Sequence, residues 1–432
     1  MKSRIISAQN KNSGFLLPEM IIAFSLLTLF LTSTITLYFS IHYLREDGIR
    51  HLDRLKQAIS NIASLSEVTY IPYGNDSVRI SSESLTLLRS DYANALGRDS
   101  CDIVFNLDLN NANLITGGLY LGSGNISTDI EVRNSIVYMT ADSSISSAPD
   151  FYIIDMTEPH SPSIISSLNT GPGLSALEVV GPYVYTINKG TTNQLQVIDI
   201  HDMTNPILIT KYKLPLPTAS TTPPIAQSLF YSNGLIYLGT EKWNAGEFAI
   251  IDVSNPINPL YIGGLELGTL VRDIYVRNGQ AYIATAGNNQ LLNVRVSDPT
   301  LPTIDGNLSP SGWQTQTGQT LTYFEGIIGF GRTTGGFNLT QNHEIFTLGT
   351  TSLTINHSHD IPGGVYGILI RPPYIYLATR SIGNELQIWK DDFSTTASNI
   401  SLGFQPEAMK CDGTSLYFAT GNSLGVAILE NT

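Results

Sequence analysis

Of the seven histidines in this 432-residue sequence, only those in His357-Ser-His359-Asp360 place potential metal ligands close together. A zinc site needs three or four converging N, S or O donors, and no third or fourth ligand stands at a recognisable spacing, so no metal is assigned and the segment reads as a polar loop between repeats. No nucleophile elbow, phosphate-binding loop or dinucleotide fingerprint falls between a suitable strand and helix, so no catalytic residue, cofactor or enzymatic activity is expected. The two cysteines, Cys101 and Cys411, lack the C-x-x-C spacing of zinc or redox sites. A disulfide between them requires the fold to bring them together, and two separate buried thiols are the alternative. Tyr and Asn residues in turns, with Trp243 and Trp313 in loop-like sequence, suit glycan or protein binding as well as plain rim packing. The remaining singular group is Glu19, the only charge in an apolar run from Phe15 to about Leu44.

The elements that would position these groups start with that run. Lys2, Arg4 and Lys11 precede it without an acid, and nothing from Met20 to Phe39 is charged. Twenty helical residues span about 30 Å, the thickness of a bilayer core. A secretory signal peptide would have a shorter apolar region ending at a small-residue cleavage site, and a plain signal anchor would explain orientation but not a carboxylate beside the membrane. Ile49, Leu52, Leu55, Ile59, Ile62 and Leu65 then recur at steps of three or four among polar residues, which predicts an amphipathic continuation. A helix over residues 15–66 would be about 75 Å long, with Gly48 as a weak point. Beyond residue 60 the chain carries 16 basic against 32 acidic residues, a balance that repels phosphate backbones, so no nucleic-acid partner is expected for the body. Charged residues make up only 14% of the chain against 42% hydrophobic, as in strand-rich exported proteins with polar rather than ionic surfaces.

Gly14-Phe15-Leu16-Leu17-Pro18-Glu19 resembles the processing signal of type IV pilins and pseudopilins. The resemblance implies a prepilin peptidase that cuts between Gly14 and Phe15, N-methylation of Phe15, and a role for Glu19 in filament assembly. A carboxylate in hydrocarbon is costly unless paired, and the N-terminal amine of a neighbouring subunit can pair it. Pro18 falls in the first turn of the mature chain, where its missing N–H has no intrahelical partner.

Residues 126–432 repeat. The second strand of each unit aligns on Tyr138, Tyr185, Tyr237, Tyr282, Gly329, Tyr376 and Tyr417, spaced by 47, 52, 45, 47, 47 and 41 residues, which predicts a propeller. Third strands such as Phe151-Tyr-Ile-Ile-Asp155, Leu195-Gln-Val-Ile-Asp199, Phe248-Ala-Ile-Ile-Asp252 and Leu292-Asn-Val-Arg295 resemble the LVIVD repeat of surface propellers. Turns such as Thr204-Asn205-Pro206 and Ser254-Asn255-Pro256 follow them, and their acids read as turn caps rather than metal ligands. The last unit stops after a third strand, while Asn113–Leu121 looks like an orphan fourth strand that would close the ring. Closure would bring the Cys101 region toward the last unit, where Cys411 lies on the first strand.

The expected fold class is α+β: a long N-terminal pilin helix followed by an all-β seven-bladed propeller closed by an N-terminal strand. The expected divisions are a leader over 1–14, a membrane and filament helix over 15–66, a reduced pilin-type sheet or linker over 67–112, and the propeller over 113–432. The function expected is that of a type IV pilus-like filament subunit, minor or tip-associated, displaying the propeller for adhesion or partner recognition. The alternatives are a pseudopilin of a secretion or DNA-uptake apparatus and a membrane-anchored propeller enzyme. The implied partners are other pilin subunits, a prepilin peptidase, the inner or cytoplasmic membrane before assembly, and an extracellular glycan or protein. The location follows: a membrane-anchored precursor, then an extracellular filament or the cell surface.

Overall fold

The computed structural model describes residues 70–73, 77–80, 113–115, 119–122 and 125–430, the last span with short internal breaks. The chain divides into two compact units, Met1–Leu88 and Arg89–Thr432. In the first, Tyr70–Tyr73 and Ser77–Ile80 pair as an antiparallel hairpin. The second contains six four-stranded antiparallel sheets and one five-stranded sheet.

The sheets are blades, numbered here in chain order: blade 1 over 125–168, blade 2 over 174–212, blade 3 over 226–265, blade 4 over 271–308, blade 5 over 316–362 and blade 6 over 365–400. Each is an up-and-down meander. Its first hairpin is set by local chemistry: Asn134-Ser135, Asn233-Gly234 and Asn278-Gly279 have positive φ at both central positions, as the tight twist-matched hairpin turn requires. A bulge recurs in the first strand, as at Ser127/Asp129, Ala226/Ser228 and Val271/Asp273, and adds to its twist. The first strands of neighbouring blades touch in a closed ring, the last sheet against blade 1 included.

The core lies between blades rather than within one. Tyr138, Phe151 and Ile153 of blade 1 pack on Leu177, Val179, Val184 and Ile198 of blade 2. The aligned tyrosines are buried at this interface, between 0% and 6% exposed, so the repeat marker is a blade-to-blade packing residue. Gly329 replaces it in blade 5, where a Cβ would come within 2.8 Å of Thr322 and about 3 Å of Ile368 and Ile370 of blade 6, so those isoleucines occupy the space.

The expected fold class is corrected on two points. The described residues are all-β, not α+β: none forms a helix, none therefore forms a helix long and apolar enough to cross a membrane, and the helix expected over 15–66 lies outside them. Nor is there a set of seven equivalent blades. Six sheets are complete four-stranded blades, and the remaining one is a five-stranded composite of both chain ends. Its strands Pro406–Asp412, Ser415–Thr420 and Leu424–Glu430 are joined by Asn113–Ile115 and Tyr120–Gly122, which pair with opposite ends of Leu424–Glu430. The single closing strand expected over 113–121 is thus two short ones, with Gly117 and Gly118 between them in sequence. The side chains of this sheet also pack on blade 1, through Tyr417 and Ala419 against Ile130 and Val137.

Candidate ligand site

The acids of the repeat turns are structural. Asp155, Asp199, Asp252 and Asp298 accept backbone N–H bonds from Thr157, His201, Ser254 and Thr300, two residues on, at 2.8 to 3.0 Å. Hydrogen bonds from the capped residues hold these carboxyls below their usual range. The residue after each third-strand acid then donates to the first hairpin turn, as Val253 does to Gly234 at 2.8 Å. Buried acids just before the third strands are equally engaged: Asp150 accepts from Thr170 N, and Glu247 from Leu267 N and Gly268 N.

His357 and His359 lie on the outer strand Ile355–Pro362 of blade 5, not in a loop as expected, because strand pairing with Asn342–Gly349 extends through them. The His359 ring packs 4.3 Å from Trp389 and 6.1 Å from Phe393 of blade 6. Among the described residues no group of three His, Cys, Asp or Glu converges as a metal site would. Trp243 sits in a blade 3 loop and donates its backbone N–H to the Glu247 carboxylate, 2.9 Å away. Cys411 is disulfide-bonded and buried on the first strand of the composite sheet. The other cysteine of the sequence, Cys101, lies outside the described residues, as do Gly14, Phe15, Glu19 and Trp313.

Two arrangements that the repeat pattern does not announce have chemical potential. The first is a charged cluster on the innermost strands. Glu131, Glu178 and Lys410 hold the same register, each opposite an aligned tyrosine, on blade 1, blade 2 and the composite sheet. Lys410 Nζ is 3.4 Å and Arg133 Nη2 3.5 Å from the Glu131 carboxylate. Burial, then the charge of Glu131, pushes the Glu178 carboxyl up to about 8, with Lys410 opposing. Two residues earlier on the first strands, Asp129 and Asp273 link adjacent blades. Asp129 accepts from Ile130 N and from Leu177 N of blade 2, and Asp273 from Ile274 N and from Leu321 N of blade 5. Burial raises both to about 6 despite these donors.

The second arrangement is a cavity of about 410 Å³ between blades 4 and 5. It is an interruption of the packing rule seen elsewhere. In blades 1 to 3 the middle of the fourth strand meets the third-to-fourth turn of the next blade: Ser166 Oγ donates to Met203 O, Thr210 Oγ1 donates to Pro256 O, and a Cβ on Gly263 would strike Pro299 O at 2.2 Å. The register-equivalent residue of blade 4 is Gly306, and a Cβ there would meet none of the described residues within 4 Å. The residue paired with Gly306 is Asn293, where blades 1, 2, 3 and 6 have Ile153, Val197, Ile250 and Ile388 opposite the aligned tyrosine. Asn293 is 8% exposed, and its Oδ1 and Gln280 Oε1 are buried without a hydrogen-bond partner. Arg295 stands at the position of the repeat's terminal acid and binds Asp305 through Nε at 3.0 Å and Nη2 at 2.5 Å. At the rim the Arg277 guanidinium lies over the Tyr323 ring, 5.1 Å from its centroid. The signal in the sequence was available: Asn and Arg at the third and fifth positions of Leu291-Leu-Asn-Val-Arg295, where the corresponding strands of blades 1, 2 and 3 have apolar and acidic residues.

Comparison with known proteins fits this architecture. The LVIVD repeat family matches residues 175–213, 233–264 and 269–309, which are blades 2, 3 and 4. No curated protein matches the chain in sequence. Solved structures of similar fold include a catalytically inactive virginiamycin B lyase from Staphylococcus aureus with quinupristin, at 14% identity and a TM-score of 0.55, covering 74% of this chain and 99% of that one. They also include the WD40 β-propeller domain of Doa1, at 11% identity and a TM-score of 0.53, covering 74% and 98%. A third is the periplasmic gluconolactonase PpgL of Pseudomonas aeruginosa, at 10% identity and a TM-score of 0.51, covering 71% and 88%. At these identities the likeness shows the propeller fold alone, shared by enzymes and non-enzymes.

Proposed function

We propose that this chain is a type IV pilin-like filament subunit, minor or tip-associated, that displays its propeller outside the cell for adhesion or partner recognition. The observation that carries the reading is Glu19, a lone carboxylate in an otherwise uncharged run, five residues after Gly14. Cleavage between Gly14 and Phe15 leaves a new amine on Phe15. A neighbouring subunit's amine neutralises Glu19 only when the segments leave lipid and pack together, so the carboxylate favours assembly over storage in the membrane. The partners are then other pilin subunits, a prepilin peptidase, the inner or cytoplasmic membrane before assembly, and an extracellular glycan or protein bound by the propeller. Because the propeller covers more than 300 residues, it crowds at every position of a tightly packed filament, which favours sparse or terminal placement.

The test is mass spectrometry of the mature chain together with immuno-electron microscopy of purified filaments. The expected results are an N-terminal methylated Phe15 and sparse or terminal labelling. An intact Met1 in assembled material overturns the reading. Glu19→Ala is expected to insert in the membrane and fail to assemble.

A second reading, a propeller enzyme, is favoured by the Glu131, Glu178 and Lys410 cluster, because a raised carboxyl beside a charge partner suits general acid–base chemistry. Turnover that is lost in Glu178→Gln supports that reading, and turnover unchanged in the variant removes the cluster as its site.

A further inference from the structure

We infer that the cavity between blades 4 and 5 is a binding site for a sugar that carries a carboxylate, such as a uronic or sialic acid residue. The inference rests on the recognition half of the proposed function and names its ligand class. Three observations converge. First, the cavity lies where each preceding blade's slot is filled by the next blade's turn, and among the described residues nothing comes within 4 Å of a Cβ placed on Gly306. Its volume of about 410 Å³ lies within the range of small-molecule sites.

Second, its wall departs from the repeat toward hydrogen bonding. Asn293 occupies a position that packing alone would give to valine or isoleucine, and burying an unpartnered amide oxygen there destabilises the fold. Gln280 adds a second partnerless carbonyl oxygen on the same wall. A polyhydroxylated ligand supplies the missing donors, and the amide groups of Asn278 and Asn307 extend the same complementarity to the rim.

Third, the charges are unevenly committed. Asp305 is held by Arg295, and Gln280 Nε2 also donates to it at 3.3 Å, so that carboxylate is spent. Among the described residues Arg277 has no carboxylate partner, and its guanidinium rests over Tyr323 with its donors free for a planar anion. A neutral sugar uses the amides but leaves Arg277 unmatched.

The probes are sodium glucuronate and N-acetylneuraminate, with glucose and N-acetylglucosamine as neutral counterparts and acetate as the bare anion. Binding to the full chain is followed by saturation-transfer NMR and isothermal titration calorimetry. Saturable binding of an acidic sugar is expected, at least tenfold tighter than its neutral counterpart and than acetate. Gly306→Leu, placed where a side chain meets open space, is expected to abolish it, and Arg277→Gln to weaken it at least tenfold. Asn293→Val is expected to abolish binding while melting at the same or a higher temperature, which separates loss of the site from loss of the fold. No binding of either acid, equal binding of neutral sugars, or binding unchanged in Gly306→Leu overturns the assignment. Because the assay involves no filament, an uncleaved Phe15 with intact sugar binding would refute the filament reading alone, and the reverse pair would refute the site alone.

Discussion

Neutralising Asp273 by substitution to Asn tests whether the inter-blade aspartates carry ionisation strain. The Asp273 carboxyl has its pKa raised from 3.8 to about 6, chiefly by burial, against the donors Leu321 N, Ile274 N and Thr320 Oγ1. A rise of about two units corresponds to about 3 kcal/mol between protonation states, at roughly 1.4 kcal/mol per unit. The sign follows from a raised folded-state pKa: the folded protein binds the proton more tightly than the unfolded chain does. The contribution to stability is therefore complete below about pH 4 and is lost as pH rises through about 6. Asn keeps one acceptor and loses the other, costing about 1 kcal/mol at any pH. Asp273→Asn should thus be about 0.5 kcal/mol less stable than the parent at pH 4, where the unfolded carboxyl has begun to ionise, and about 2 kcal/mol more stable at pH 7.5, with the curves crossing between. Urea unfolding at constant ionic strength over pH 4 to 7.5 measures both curves. Taking their difference cancels the turn aspartates, whose pKa values are lowered and which are common to both chains. Parallel curves would refute the argument and show that water or a counter-charge solvates Asp273.

Gly263→Ala should destabilise the chain by about 1–3 kcal/mol in the same urea assay, because the added Cβ meets Pro299 O, a backbone atom, at 2.2 Å; an unchanged midpoint would show that the turn yields freely. A chain beginning at Asn125 lacks both N-terminal strands that pair with the outer edge of Leu424–Glu430 and should aggregate through that edge, whereas one beginning at Asp102 should remain monomeric by light scattering; equal behaviour of the two would remove the role of N-terminal closure.

The repeat period, the strand order within each unit and the need for an N-terminal contribution at the seam were legible in the sequence. They rest on local signals: Asn-Gly turns that demand positive φ, alternating apolar residues, and acids that cap the turns following them. The aligned tyrosines were equally readable as markers, since burying a large ring between sheets constrains residue type at each repeat. The composite character of the closing sheet was only partly visible, because two three-residue strands flanking Gly117 and Gly118 read as one apolar run until both are paired along Leu424–Glu430. Glu19 and the Gly14–Phe15 junction lie outside the described residues and are visible only as sequence.

What tertiary structure alone decided is where the repeat fails to pack. Gly263 and Gly306 look alike in sequence, yet one is pressed against the next blade's turn and the other faces a cavity. Lys410 is separated from Glu131 and Glu178 by most of the propeller's length and comes beside them only because the ring closes. Local propensities specify each blade's strands. Contacts between blades depend on how neighbouring turns fill one another's slots, and that complementarity is settled only when the sheets are brought face to face.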